Sequence, residues 1–170
     1  MGRVDIIPTM SEPTKILFVC MGNIVRSPLA EALFRQRLDQ AGLAAKYEVD
    51  SAGTSAYHTG QQPDSRMRDT AADHGLEYTG SARQVRPGDL EKFDLIIVMD
   101  RSNHDHILEM SRDLDHKQKI HFMREWDPES DGDMDVPDPY YGSIDGFEHT
   151  YQILARSVTG LFDWLDGGVG

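Results

Sequence analysis

This sequence predicts an α/β fold: a parallel sheet flanked by helices on both faces, in a single domain. Three features predict it. The apolar runs at 15–20 (K-I-L-F-V-C) and 94–99 (D-L-I-I-V-M) lack polar alternation, as strands buried on both faces do. Segments with apolar residues at spacings of three and four lie between the strand candidates. Strand and helix then alternate along the chain, a pattern that implies parallel strands joined by crossover helices. A length of 170 residues suits one domain with one core.

Each element has a local reason. Residues 15–20 form the first strand, and the loop 21–26 leads into a helix for which Ser27 is the expected N-cap and Pro28 the first helical residue. Leu29, Ala30, Leu33, Phe34 and Leu38 give this helix its apolar face, and Gly42 stops it. Residues 47–52 read as the second strand, ending at Gly53. A second helix, 64–74, follows Pro63 and closes at Gly75. Residues 94–99 are the third strand, 100–110 a helix with Ile107 on its buried side, and 119–123 the fourth strand. Residues 125–138 hold seven acids in fourteen positions among turn formers and read as a loop. The last helix opens on a D-x-x-E capping box, Asp145 to Glu148. Phe147, Tyr151, Leu154, Val158, Leu161, Phe162 and Leu165 line one side of it, and Gly167 and Gly168 end it. With no repeat and no linker, residues 15–168 make one domain. Residues 1–14 read as a flexible leader, with Met10 an alternative start.

Composition narrows the function. No apolar run approaches the roughly 20 residues of a membrane helix. Residues 1–14 lack the apolar stretch of a secretory signal, and Ile6 stands where a myristoylation signal takes Ser or Thr. Cys20 is the one cysteine, which excludes a disulfide framework and a multi-thiolate zinc site and points to a reducing, cytoplasmic setting. A net charge of −12 argues against non-specific nucleic-acid binding. It also requires that any phosphate site be locally positive, built from backbone N–H groups and arginine.

The segment C-M-G-N-I-V-R-S-P, from Cys20 to Pro28, meets that requirement. A strand-to-helix turn leaves the N–H groups of Met21, Gly22, Asn23, Ile24, Val25, Arg26 and Ser27 free to point inward. Gly22 permits backbone angles that a side chain resists. The following helix adds its positive dipole end, and Arg26 offers a planar, bidentate contact to two phosphate oxygens. These features also stabilise a thiolate at Cys20, and the Ser27 hydroxyl is placed to hydrogen-bond it. Taken alone, a lone strand-end cysteine reads as a small buried hydrophobe; the spacing to Arg26 and Ser27 favours a nucleophile. Phosphate binding without turnover and a cysteine phosphocarrier stay open. A nucleotide P-loop does not, since the loop has no lysine.

Phosphoryl transfer to sulfur expels an oxygen that needs a proton. Asp138, in V-P-D-P-Y-Y-G, is the best-placed acid, stiffened by Pro137 and Pro139 and followed by Tyr140 and Tyr141, which can wall an aromatic pocket. It reads equally as one more solvated loop acid, and only the flanking prolines and tyrosines distinguish it from Asp135. His104 and His106 point in different directions from one helix and read as surface histidines, not a metal pair. His58 reads as either a pocket neighbour or a turn residue, and Trp126 and Trp164 as packing anchors.

The combination resembles the low-molecular-weight protein tyrosine phosphatase family. Besides Cys20 to Pro28 and Asp138-Pro139-Tyr140-Tyr141-Gly142, the likeness includes Ala30-Glu31, Asp50-Ser51-Ala52-Gly53-Thr54, Tyr57-His58, Pro63-Asp64, Ala82-Arg83-Gln84 and Met99-Asp100. The resemblance implies a flavodoxin-like four-stranded parallel sheet and hydrolysis of phosphotyrosine in proteins or peptides, or of small aryl phosphates, with inorganic phosphate as product. It implies no cofactor, no metal and no membrane or nucleic-acid partner. It makes Cys20 the nucleophile, Arg26 the phosphate clamp and Asp138 the general acid. Asn23 shapes the loop through Ser51 and Ser27, and Met21, Tyr57 and Tyr140 line the mouth. Gly80 stands where many members carry a histidine that contacts the loop asparagine. Val25 stands where many carry a second cysteine that traps the oxidised nucleophile. Ile24 stands where phosphoarginine phosphatases of the family favour threonine, which leans the substrate toward phosphotyrosine. Arsenate-reducing relatives need further cysteines that this chain lacks.

Overall fold

The computed structural model describes residues 12–167; most of the expected leader and Gly168 lie outside them. Four strands, β1 (Thr14–Cys20), β2 (Tyr47–Gly53), β3 (Leu95–Val98) and β4 (Ile120–Phe122), form one sheet in the order β2-β1-β3-β4. All three pairings are parallel, with Cys20 level with Gly53 and Val19 level with Val98. The helices are α1 (Arg26–Ala41), α2 (Ser65–Asp73), α3 (Pro87–Lys92), α4 (Arg101–Met110), α5 (Leu114–Gln118) and α6 (Ile144–Phe162).

The unbroken apolar run of β1 is used on both sides. Ile16, Phe18 and Cys20 point into a core shared with α1, α2 and α6. Leu17 and Val19 point into a second core with Leu90, Phe93 and Ile107. Every residue from Ile16 to Val19 is fully buried, which is why the strand carries no polar alternation. Among the described residues no helix is long and apolar enough to cross a membrane.

Two expected caps fall differently. Helix α1 starts at Arg26 on an uncapped Val25, two residues earlier than Ser27 as N-cap would allow. The Ser27 hydroxyl is committed to the Cys20 sulfur and the Asn23 amide instead. Helix α6 starts at Ile144 after Ser143, so Asp145 sits inside the first turn. Glu148 does not close a box; it accepts from Gln152 and pairs with His74 on α2's C-cap. Helix α6 ends at Phe162 and continues as a wider turn over Asp163–Gly167. The other boundaries agree to within one residue, including the left-handed stop at Gly42, φ 72°.

The strand order decides where a ligand can sit. From β1 the chain crosses to β2 on one side, and later places β3 on the other. At such a reversal the loops leaving the carboxyl ends diverge and open a crevice. Cys20, Gly53 and Asp100 lie at those three ends.

Candidate active site

The loop after β1 folds over its own sulfur. Cys20 Sγ accepts the N–H of Asn23 at 3.3 Å and that of Ser27 at 3.4 Å, and lies 3.0 Å from Ser27 Oγ. The turn is made by Asn23, which takes the left-handed conformation, φ 56°. Few residues other than glycine adopt it, and asparagine is among those that do. Gly22 serves a different purpose from the one expected. It supplies room, since a Cβ there would lie 2.9 Å from His58 Cδ2. Gly53 is constrained more severely, because a Cβ would meet the Met21 carbonyl oxygen at 2.6 Å. The loop is sewn to the end of β2 at this close approach, with Thr54 N–H donating to Cys20 O and Ser55 N–H to Met21 O, both at 2.9 Å.

Arg26 is buried at the start of α1. Its Nη1 donates to Asp100 Oδ2 at 2.7 Å and to the Val136 carbonyl at 2.9 Å, while Nη2 lies 3.5 Å from Asp138 Oδ2. Burial disfavours the guanidinium charge. The Cys20 sulfur, then Asp100 and Asp138, outweigh that penalty and hold its pKa above the ordinary value. The side chain is therefore a permanent cation with a fixed plane. Asp138 sits on the rim, about a third exposed, and its Oδ1 accepts the Tyr140 N–H at 3.1 Å.

These groups converge on a cavity of about 360 Å³. Nine of the sequence-predicted residues line it: Cys20, Met21, Gly22, Ile24, Val25, Arg26, Tyr57, Asp138 and Tyr140. Cys20 is at the floor, and the exposed Met21, Tyr57 and Tyr141 stand at the mouth. The side chains of Asn23, Ser27 and Ser51 are not in the wall. They lie buried beneath it as a support, with Asn23 Nδ2 donating to Ser27 Oγ at 2.8 Å and to Ser51 Oγ at 3.0 Å. Gly80 does not leave this support incomplete: Asn23 Oδ1 accepts the Arg83 N–H at 3.0 Å.

Sequence reasoning missed four contributors. Asp100 and the Val136 carbonyl orient Arg26, Glu31 accepts from Ser51, and Ser55 joins the wall. Asp100 had a signal in the sequence, as a carboxylate at the end of the strand next to β1. His58, left open, lines the cavity with its ring 5.7 Å from that of Tyr140.

The family model described as low molecular weight phosphotyrosine protein phosphatase matches residues 15–168. A low molecular weight protein-tyrosine-phosphatase of Streptomyces coelicolor is 40% identical over 148 residues, 86% of this chain and 90% of that one. A low molecular weight phosphotyrosine protein phosphatase of Homo sapiens is 39% identical over 149 residues, 83% of this chain and 89% of that one. The crystal structure of a protein tyrosine phosphatase from Entamoeba histolytica superposes with a TM-score of 0.86 at 39% identity, covering 92% of this chain and 99% of that one. With a family model over residues 15–168 and relatives near 40% identity over most of both chains, this chain belongs to the low molecular weight phosphotyrosine protein phosphatase family, as a hydrolase of phosphotyrosine that works through a cysteine nucleophile.

Proposed function

We propose that Cys20, Arg26 and Asp138 divide the reaction as nucleophile, clamp and acid. The Cys20 thiolate attacks phosphorus in line, a P–S bond forms, and the P–O bond to the phenol breaks as Asp138 delivers its proton to the departing oxygen. In the second step Asp138, now a carboxylate, takes a proton from water. The water oxygen attacks phosphorus, the P–S bond breaks, and inorganic phosphate leaves with the thiolate restored. The loop N–H groups and Arg26 stabilise the equatorial oxygens in both steps, at no cost in reorganisation because all are already fixed.

The observation that carries this reading is the placing of one thiol, one held guanidinium and one rim carboxylate around a single cavity. Tyr57, Tyr140 and Met21 at its mouth suit a phenyl ring. Ile24, buried in the wall, makes that wall apolar where a phosphoguanidine would need polar partners. The solitary thiol suits a reducing, cytoplasmic setting.

The test is hydrolysis of p-nitrophenyl phosphate by wild type, Cys20→Ser and Asp138→Ala, with phosphotyrosine and phosphoarginine as competitors. Cys20→Ser is expected to abolish turnover. Asp138→Ala is expected to lower kcat by about 10²- to 10⁴-fold while inorganic phosphate still inhibits. Wild-type activity in Asp138→Ala would remove that residue from the role. Stronger competition by phosphoarginine would reverse the substrate assignment. Phosphate passed from Cys20 to a protein and not to water would indicate a carrier.

A further inference from the structure

Beneath the nucleophile runs a continuous hydrogen-bond chain whose far end is a carboxylate that neither step uses. Glu31, on α1, accepts from Ser51 Oγ at 2.7 Å through Oε1. Ser51 Oγ accepts from Asn23 Nδ2 at 3.0 Å, and the same nitrogen donates to Ser27 Oγ at 2.8 Å. Ser27 Oγ lies 3.0 Å from Cys20 Sγ. The three middle links are 7%, 3% and 0% exposed for Ser51, Asn23 and Ser27, so water is poorly placed to offer alternatives. The other oxygen of Glu31 accepts from Arg35 Nε at 2.9 Å, and Asp50 lines the same small crevice.

The direction of the chain follows from its end. A carboxylate only accepts. Ser51 therefore gives its one proton to Glu31 and offers its lone pair to Asn23. Asn23 turns its NH₂ toward Ser51 and Ser27 and its oxygen toward the Arg83 N–H, 3.0 Å away. Ser27, already receiving a proton from Asn23, keeps its own for the sulfur. The competing acceptor, the Ala52 carbonyl, is more distant at 3.5 Å.

We propose that Glu31 is a positioning residue for the nucleophile: through Ser51 and Asn23 its carboxylate holds Ser27 as a donor to Cys20 Sγ. The proposal rests on Cys20 being the attacking thiolate, and Glu31 itself touches no substrate atom. It makes a prediction opposite to that of a bare charge. A nearby negative charge disfavours a thiolate, so removing one should speed the reactions of the sulfur. Removing the anchor of the chain should slow them.

The experiment measures iodoacetamide alkylation of Cys20, the sole thiol, at mildly acidic pH, beside p-nitrophenyl phosphate hydrolysis. Glu31→Met keeps length and helix propensity but offers no oxygen acceptor; Glu31→Gln restores one. Glu31→Met is expected to alkylate about threefold to tenfold more slowly, the factor one hydrogen bond is worth. Its kcat should fall by a like factor with KM little changed, and Glu31→Gln should recover most of both. In a Ser51→Ala background Glu31→Met should add nothing, because the next link is already gone. Alkylation at or above the wild-type rate in Glu31→Met, or additive effects in the double variant, would overturn the proposal. If Glu31→Met does not fold, Ser51→Ala alone carries the same expectation, with wild-type alkylation overturning it. A wild type that alkylates readily but does not turn over would count against the phosphatase reading, and the alkylation rates would still decide this one.

Discussion

At the scale of single residues, the site depends on groups whose partners are nearly all already engaged. Arg26 shows this best. Two of its contacts, Asp100 and the Val136 carbonyl, hold the guanidinium plane. Lysine cannot reproduce a planar fork, so Arg26→Lys is expected to lower kcat by about 10²- to 10³-fold, read with p-nitrophenyl phosphate at saturating substrate. Cys20 poses the opposite problem, since it is chemically alone. Val25, 4% exposed in the loop, offers an oxidised sulfur no second thiol. Strong peroxide treatment is expected to cause inactivation that dithiothreitol reverses poorly. Full recovery of activity would show another route of protection.

At the scale of elements, the acidic loop is more firmly tethered than its composition suggests. Asp127 is its hub. It accepts from Arg124 Nε and Arg156 Nε at 3.0 Å each, and from the Glu129 N–H at 2.9 Å. Arg124 also donates to the Asp135 carbonyl at 3.0 Å, and Thr150 on α6 to the Pro137 carbonyl at 3.1 Å. The loop is thereby pinned to α6 just before Asp138. Burial pushes the Asp127 carboxyl up. Its hydrogen bonds from Arg156, the Glu129 N–H and Arg124 outweigh that and hold it below the usual carboxylate range. A carboxylate lower in the folded than in the unfolded state stabilises fully above its unfolded pKa, about 3.9. That contribution is lost as pH falls through the folded value. Asp127→Asn is therefore expected to lose about 2 kcal/mol at neutral pH, because the buried Arg124 loses its buried carboxylate and keeps only the exposed Asp133, 3.4 Å away, as an ion-pair partner. Its stability should then fall less steeply in acid. Urea midpoints across the acid range check both.

At the scale of the whole molecule, a phosphate site operates inside a protein of net charge −12. Six of the seven loop acids are engaged: Asp127 and Glu129 with Arg156, Asp133 with Arg124, Glu125 with His121, Asp135 with the Arg101 N–H and Asp138 with Arg26. The overall field still repels a dianion, while the cradle attracts it at contact. Salt screens the first more than the second. Raising sodium chloride from low to physiological strength is expected to increase kcat/KM for p-nitrophenyl phosphate by about twofold. A decrease would mean that the positive potential at the mouth extends beyond the cradle.

Much of this was legible because it is local. Cys20, Arg26 and Ser27 lie on one turn, so their spacing alone brings them together. The long helices and the buried strands announce themselves by period and by unbroken apolar runs. The short helices α3 and α5 did not, because a helix of one or two turns is too short to carry a periodic signal and is held by caps such as Asp89 on the Arg86 N–H and Asp113 on the His116 N–H. Ser27 as a cap was misread for a related reason: its hydroxyl has a buried partner in Cys20 that no local rule weighs. By itself the sequence determined the α/β fold class, the cradle and its nucleophile. Flanking residues and the family likeness pointed to Asp138 over Asp135, but only the tertiary structure gave that choice a physical basis. The former lies beside Arg26 at the cavity rim, and the latter is turned away to cap the Arg101 N–H. The physical reason is distance along the chain: a turn fixes neighbours by covalent geometry. By contrast, Asp138 and Asp100 meet the loop, and Glu31 meets Ser51, only once the sheet order and helix packing have been settled.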